Sequence, residues 1–173
     1  IYLISATALW GGNIIAAKIA SNIMLEPIKL SFYRNIIVLI ILLPFVLNKL
    51  SNNYYILIKH WKIITFLSIV SVSIFNTFMN IALTTSTVIS SSLMPSFAPS
   101  LIILLSLIIY NSKISFIQLI GVFISFFGFI NIIIRGNIIN LSSINFVSGD
   151  FWMLGCVSCW AFYSVMIRKI PKD

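Results

Sequence analysis

Residues 3–18 read LISATALWGGNIIAAK, and residues 153–168 read MLGCVSCWAFYSVMIR. At an offset of 150 positions Trp10 meets Trp160 and Lys18 meets Arg168, and small residues precede the tryptophan in both segments. Each segment is an apolar run whose single cation comes at its end. A charge at the centre of a bilayer costs about 2.5–3.5 kcal/mol even on insertion scales. The fold therefore turns on two questions: whether these runs cross a membrane, and whether they are two copies of one unit.

Composition answers the first. The 173 residues are 60% hydrophobic and 8% charged, with a mean hydropathy of +1.11, whereas a soluble domain carries about 25% charged residues. The apolar residues come in blocks of about 20, enough to cross a hydrocarbon core of about 30 Å. The chain reads as an all-α integral membrane protein whose partner is the lipid bilayer. Helices are predicted at about 2–22, 29–48, 62–84, 87–110, 114–135 and 150–169. Pro27 suits a helix start, and Gly149-Asp150 suits a turn running into an N-cap.

The net charge of +8 does not point to nucleic acid, because the basic residues lie between the apolar blocks and form no single patch. They instead set an orientation. With the N-terminus in the cytoplasm, the cytoplasmic segments hold Lys49, Lys59, Lys62, Lys113, Arg168, Lys169 and Lys172. The outer side holds Lys29 and Arg135, with Lys18 and Arg34 at span ends. Seven basic residues against four support that orientation. Cys156 and Cys159 are the only cysteines, His60 the only histidine, and Glu26, Asp150 and Asp173 the only acids. That inventory builds no disulfide framework, metal site or carboxylate pair, and no cofactor is expected. No Gly-rich phosphate loop with a lysine is present either, so ATP drive is not encoded in this sequence.

The second question concerns parity. Five spans precede the second copy of the Trp-containing segment, so that copy crosses the membrane in the opposite direction. An odd-numbered unit followed by its own start is the pattern of an inverted-topology repeat, in which a site near the midplane is exposed alternately to the two sides. The expected organisation is a first repeat at 1–136, an outer loop at 137–149 and the opening of a second repeat at 150–173. The chain begins at Ile1 inside one apolar run and ends just after another, and it reads as a piece of a longer protein.

The residues also carry a family resemblance. Trp10-Gly11-Gly12-Asn13 with Lys18, Phe32-Tyr33-Arg34 with Leu42-Leu43-Pro44, and Phe75-Asn76-Thr77 through Ser90-Ser91-Ser92-Leu93-Met94-Pro95 follow one another in order. Gln118-Leu119-Ile120-Gly121 with Gly128, then Gly149-Asp150 with Trp160-Ala161, complete the series. In that order and spacing the chain resembles the EamA-type proteins of the drug/metabolite transporter superfamily. The resemblance implies ten helices in two inverted five-helix repeats, moving small metabolites or amino acids across a bacterial cytoplasmic membrane. A homodimer is a further candidate assembly. One departure lies at Asn111-Ser112, where the family usually has Gly-Glu.

Several side chains are candidates for the substrate pathway. Ala6, Trp10, Asn13, Ala17 and Ser21 share one face of the first helix, and Ser73, Asn76, Asn80 and Thr84 form a similar stripe on the third. Amides are disfavoured facing lipid, so both stripes should face other helices or a cavity. Interhelical hydrogen bonding and substrate contact both fit. Pro95 and Pro99 interrupt the fourth helix among Ser92, Ser96 and Ser100, which fits either a broken helix lining the pathway or a kink buried in packing. Lys18 and Arg34 are expected at similar depth, about 5–10 Å from the outer interface at 1.5 Å per residue. They either snorkel or form a cationic vestibule for an anionic group, with Glu26 available to pair with one of them. By its equivalence to Arg168, Lys18 belongs near the mouth of its helix, guarding the entrance at most, which leaves Trp10 and Asn13 as the substrate-facing candidates of that stretch; Trp160, matched to Trp10, is a further pathway candidate.

The function expected is a secondary exporter of small metabolites or amino acids working by alternating access. Two other classes are a non-transporting scaffold or sensor, and a membrane-embedded transferase. The latter lacks the clustered His, acid or nucleophile its chemistry needs.

Overall fold

The computed structural model describes residues 2–22, 26–52, 54–134 and 147–169. Six helices among them are long and apolar enough to cross a membrane: Tyr2–Asn22, Pro27–Leu47, Trp61–Thr85, Val88–Tyr110, Phe116–Ile133 and Ser148–Lys169. They are the first to sixth spans below, and they fall where the apolar blocks place them. Arg135, Lys172 and most of the expected outer loop lie outside the described residues.

Local chemistry sets the ends of these helices. Pro27 opens the second helix, a position where its missing N–H is not needed. The fourth span ends on Asn111 at φ 48°. Asn is the residue after Gly that best tolerates this left-handed turn, so Asn111 does the conformational work expected of the family's glycine. At the start of the fifth span the Gln118 side chain accepts from the Ser115 N–H at 3.0 Å, half of a capping box. The sixth helix begins at Ser148 with Val147 in the N-cap position. Asp150 thus lies inside the first turn and is not the cap that Gly149-Asp150 suggested.

Two spans change helix type within their length, and the sixth ends in a 3₁₀ turn at Ile167–Lys169. The third is π-helical at Ile69–Ile74, between α-helical Trp61–Ser68 and Phe75–Thr85. The fourth passes through a 3₁₀ segment, Met94–Phe97, between Val88–Leu93 and Ala98–Tyr110. Pro95 falls in that segment. Pro99 falls in the first turn of the helix that follows, where a missing donor is tolerated. The interruption read from the two prolines is therefore a local tightening, not a gap.

The third span is the hub of the bundle, and its densest packing is against the sixth. Along that interface the ring pairs are Phe66–Phe162, Phe75–Trp160 and Phe78–Trp152, at centroid distances of 6.2, 5.7 and 5.0 Å. The numbers rise on one helix as they fall on the other, so these spans are antiparallel. Between the first and third spans, Trp10 meets Phe75 and Lys18 meets Leu83, which makes those two parallel. The first and sixth spans therefore run in opposite directions. Ile14, Met79, Leu83, Met94, Met153 and Cys156, drawn from four spans, fill the core between them.

Candidate functional site

Trp10 and Trp160, the two residues matched at the offset of 150, reach one cavity. It encloses about 230 Å³ and is lined by Trp10, Phe75, Pro95, Ala98, Val157 and Trp160. The Phe75 ring stands between the two indoles, 5.8 Å from Trp10 and 5.7 Å from Trp160. Four spans contribute, and the 3₁₀ segment brings Pro95 to the wall. The lining is almost wholly apolar and aromatic, which suits desolvation of an apolar body and offers flat rings for stacking.

Polar chemistry begins next to the cavity on two of the same helices. Arg34, from the second span, donates to Asn13 Oδ1 at 2.8 Å and also to Asn76 Oδ1. Asn13 lies one turn beyond Trp10, and Asn76 adjoins Phe75. The Asn76 amide nitrogen donates to the Val72 carbonyl at 2.7 Å, which directs its oxygen toward the guanidinium. Val72 belongs to the π-helical segment, a type of irregularity found often at functional sites. The polar stripe of the third span continues at Asn80, which is 2% exposed and donates to Ser31 Oγ at 2.7 Å. Its Oδ1 has no hydrogen-bond partner among the described residues.

Lys18 is engaged quite differently. Its ammonium donates to the carbonyls of Leu83, at 2.6 Å, and Ser86, at 3.0 Å. These carbonyls lie at the end of the third span, where the last four have no intrahelical partner, and a cation there also complements the helix dipole. Ser86 Oγ in turn donates to Asp150 Oδ1 at 2.9 Å, and Asp150 is only 4% exposed. Glu26 pairs with Lys29 at 3.1 Å, not with Lys18 or Arg34. Nor do the two cations share a depth: Asn76 precedes Leu83 by about two turns, so the guanidinium lies about 10 Å further into the bundle.

The remaining candidates lie elsewhere. Ser96 turns its hydroxyl to the Leu93 carbonyl at 2.6 Å, and both Ser96 and Pro99 face outward, away from the cavity. Cys156 is buried with its thiol on the Phe75 carbonyl at 3.4 Å, and both cysteines are free thiols. No described atom outside the helix's own backbone lies within 4 Å of a Cβ built at Gly121 or Gly128. Reading by residue type passed over Phe75, the ring both tryptophans touch, and Ser86, the link between Lys18 and Asp150. Phe75 carries no signal of its own. Ser86 does: the carbonyls ending a membrane helix require donors, and this tight link is where they end.

An all-helical bundle of apolar spans around an aromatic cavity is the architecture of a polytopic membrane protein, and sequence comparison gives its class. The profile of the EamA-like transporter family matches residues 1–134. The chain belongs to that family, the EamA-type proteins of the drug/metabolite transporter superfamily. It is similar to the protein named Uncharacterized transporter YyaM of Bacillus subtilis (strain 168), at 27% identity over 107 residues. That alignment covers 62% of this chain and 35% of the relative. No solved structure matches the chain.

Proposed function

We propose that the cavity between Trp10 and Trp160 is part of the path of a small solute, a metabolite or amino acid exported by alternating access. The supporting observation is that two residues matched by an internal offset, on antiparallel spans, flank the same ring in the same cavity. An inverted repeat produces such a meeting at its pseudo-twofold axis, which is where substrate sites of such proteins lie. Rocking of one repeat against the other would open the cavity to either side, with the first repeat at 1–136 and the second beginning at 150. The process is secondary or passive, in a bacterial cytoplasmic membrane with the N-terminus in the cytoplasm.

The test is a metabolite-resolved export assay in cells expressing the full-length gene, beside the Trp10→Ala and Trp160→Ala variants at matched membrane levels. At least one small solute should accumulate outside the wild-type cells, with its export cut about tenfold or more in each variant. Wild-type export rates in both variants would remove the cavity from the path.

A further inference from the structure

We infer that Arg34 is the anion-recognition residue of this site, and that the solute it takes is a carboxylate bearing an apolar body. The inference rests on the cavity being a solute site and names the chemistry of its ligand.

The first ground is charge. A cation withdrawn from water is normally paired with an opposite charge. Arg34 is half-buried and, among the described residues, donates only to neutral amide oxygens, those of Asn13 and Asn76. Neither acid among the described residues offers compensation. Glu26 is an outward-facing partner of Lys29, and Asp150 is held by Ser86 beyond the end of the third span. Among the described residues the Arg34 charge thus has no acidic partner.

The second ground is donor geometry. A guanidinium carries five N–H groups in a planar fork, and the two amides fix its orientation without exhausting them. The remaining donors suit the paired oxygens of a carboxylate, which Arg binds in bidentate fashion better than Lys does. Lys18 is not a rival, because carbonyls at a helix end already occupy its ammonium. The third ground is position. Each amide that holds the guanidinium belongs to a helix that also supplies a ring of the cavity, Asn13 with Trp10 and Asn76 with Phe75. At about 230 Å³ the cavity is smaller than drug-sized sites of roughly 300–1,000 Å³, as suits the apolar part of a metabolite.

Matched probes separate this inference from the reading beneath it. Full-length protein in lipid nanodiscs is titrated with phenylacetate and phenylacetamide, and with isovalerate and isovaleramide, following tryptophan fluorescence. In at least one pair the acid should bind more tightly than the amide by about tenfold or more, as expected for a charged hydrogen-bonded contact. Arg34→Gln should bring acid and amide to parity by weakening the acid alone. Arg34→Lys, which keeps the charge and loses the fork, should weaken the acid severalfold. Equal binding of acid and amide by the wild type, or acid binding unchanged in either variant, overturns the inference and leaves the cavity reading intact. Absence of binding in both pairs overturns both.

Discussion

Between the first and third spans the bundle holds two cations, and their surroundings differ in kind. Near the helix ends, Lys18 meets backbone carbonyls that exist whatever the side chains are, and the knot extends through Ser86 to the buried Asp150. About two turns deeper, Arg34 meets two side-chain amides beside an aromatic cavity. Carbonyls left by a terminating helix cannot be rearranged, so the first contact is a fixed structural requirement. Amide side chains can rotate to follow a guanidinium that takes a ligand. The knot near the ends therefore fixes the bundle, and the deeper pair is where it can respond to a solute.

The largest effect expected on this division comes from Gly149. A Cβ there would collide with the Ala82 carbonyl oxygen and stand 2.8 Å from the Ser86 amide nitrogen, backbone atoms that cannot yield without moving the third span. Gly149→Ala should destabilise the docking of the sixth span by on the order of 3 kcal/mol, seen as loss of monodisperse protein in size-exclusion chromatography. Normal folding would mean that this end is looser than its packing indicates. Next come the cations themselves. Lys18→Ala leaves two carbonyls without their donor and should cost about 2 kcal/mol, measured as a lowered thermal midpoint, while the folded fraction keeps its preference for acid over amide. Arg34→Gln should show the reverse balance, about 1 kcal/mol of stability with the preference lost. If Lys18→Ala abolished the preference at unchanged stability, the assignment of roles would be inverted.

Most of the architecture was legible because hydrophobicity over about 20 residues is a strong signal. All six spans and the prolines' disturbance of the fourth could be read from residue type and spacing, whereas the meeting of Trp10 and Trp160 on Phe75 could not. Nor could the engagement of the cations. Spacing gave Lys18 and Arg34 similar depths because it measures Cα positions along a helix, whereas the level at which each cation acts is set by the groups it meets on and just after the third span, Leu83 and Ser86 for Lys18 and Asn76 for Arg34. Glu26 is close in sequence to both, yet it pairs with Lys29, in the first turn of the helix that begins at Pro27. The π-helical segment was also hidden, since no residue type in Ile69–Ile74 forces it, and it is this segment whose carbonyl orients Asn76.

The smallest expected change in stability gives the finest discrimination between the two regions. Asn13→Asp is isosteric and keeps the oxygen acceptor that Arg34 uses. If the guanidinium is simply a strut between two spans, a carboxylate serves as well as an amide or better, and solute binding should not change. If it is an anion site awaiting its ligand, the introduced carboxylate would supply the missing negative charge from within and compete with that of the solute. Charge pairing of this partly buried kind gains from Coulomb attraction and loses to desolvation in similar measure, so the thermal midpoint should shift by no more than about 1 kcal/mol in equivalent stability. The affinity for phenylacetate or isovalerate should nevertheless fall about tenfold, with the matching amide unaffected. A stabilised protein with undiminished acid binding would assign Arg34 to the scaffold together with Lys18, and the contrast between the two cations would then be one of depth alone.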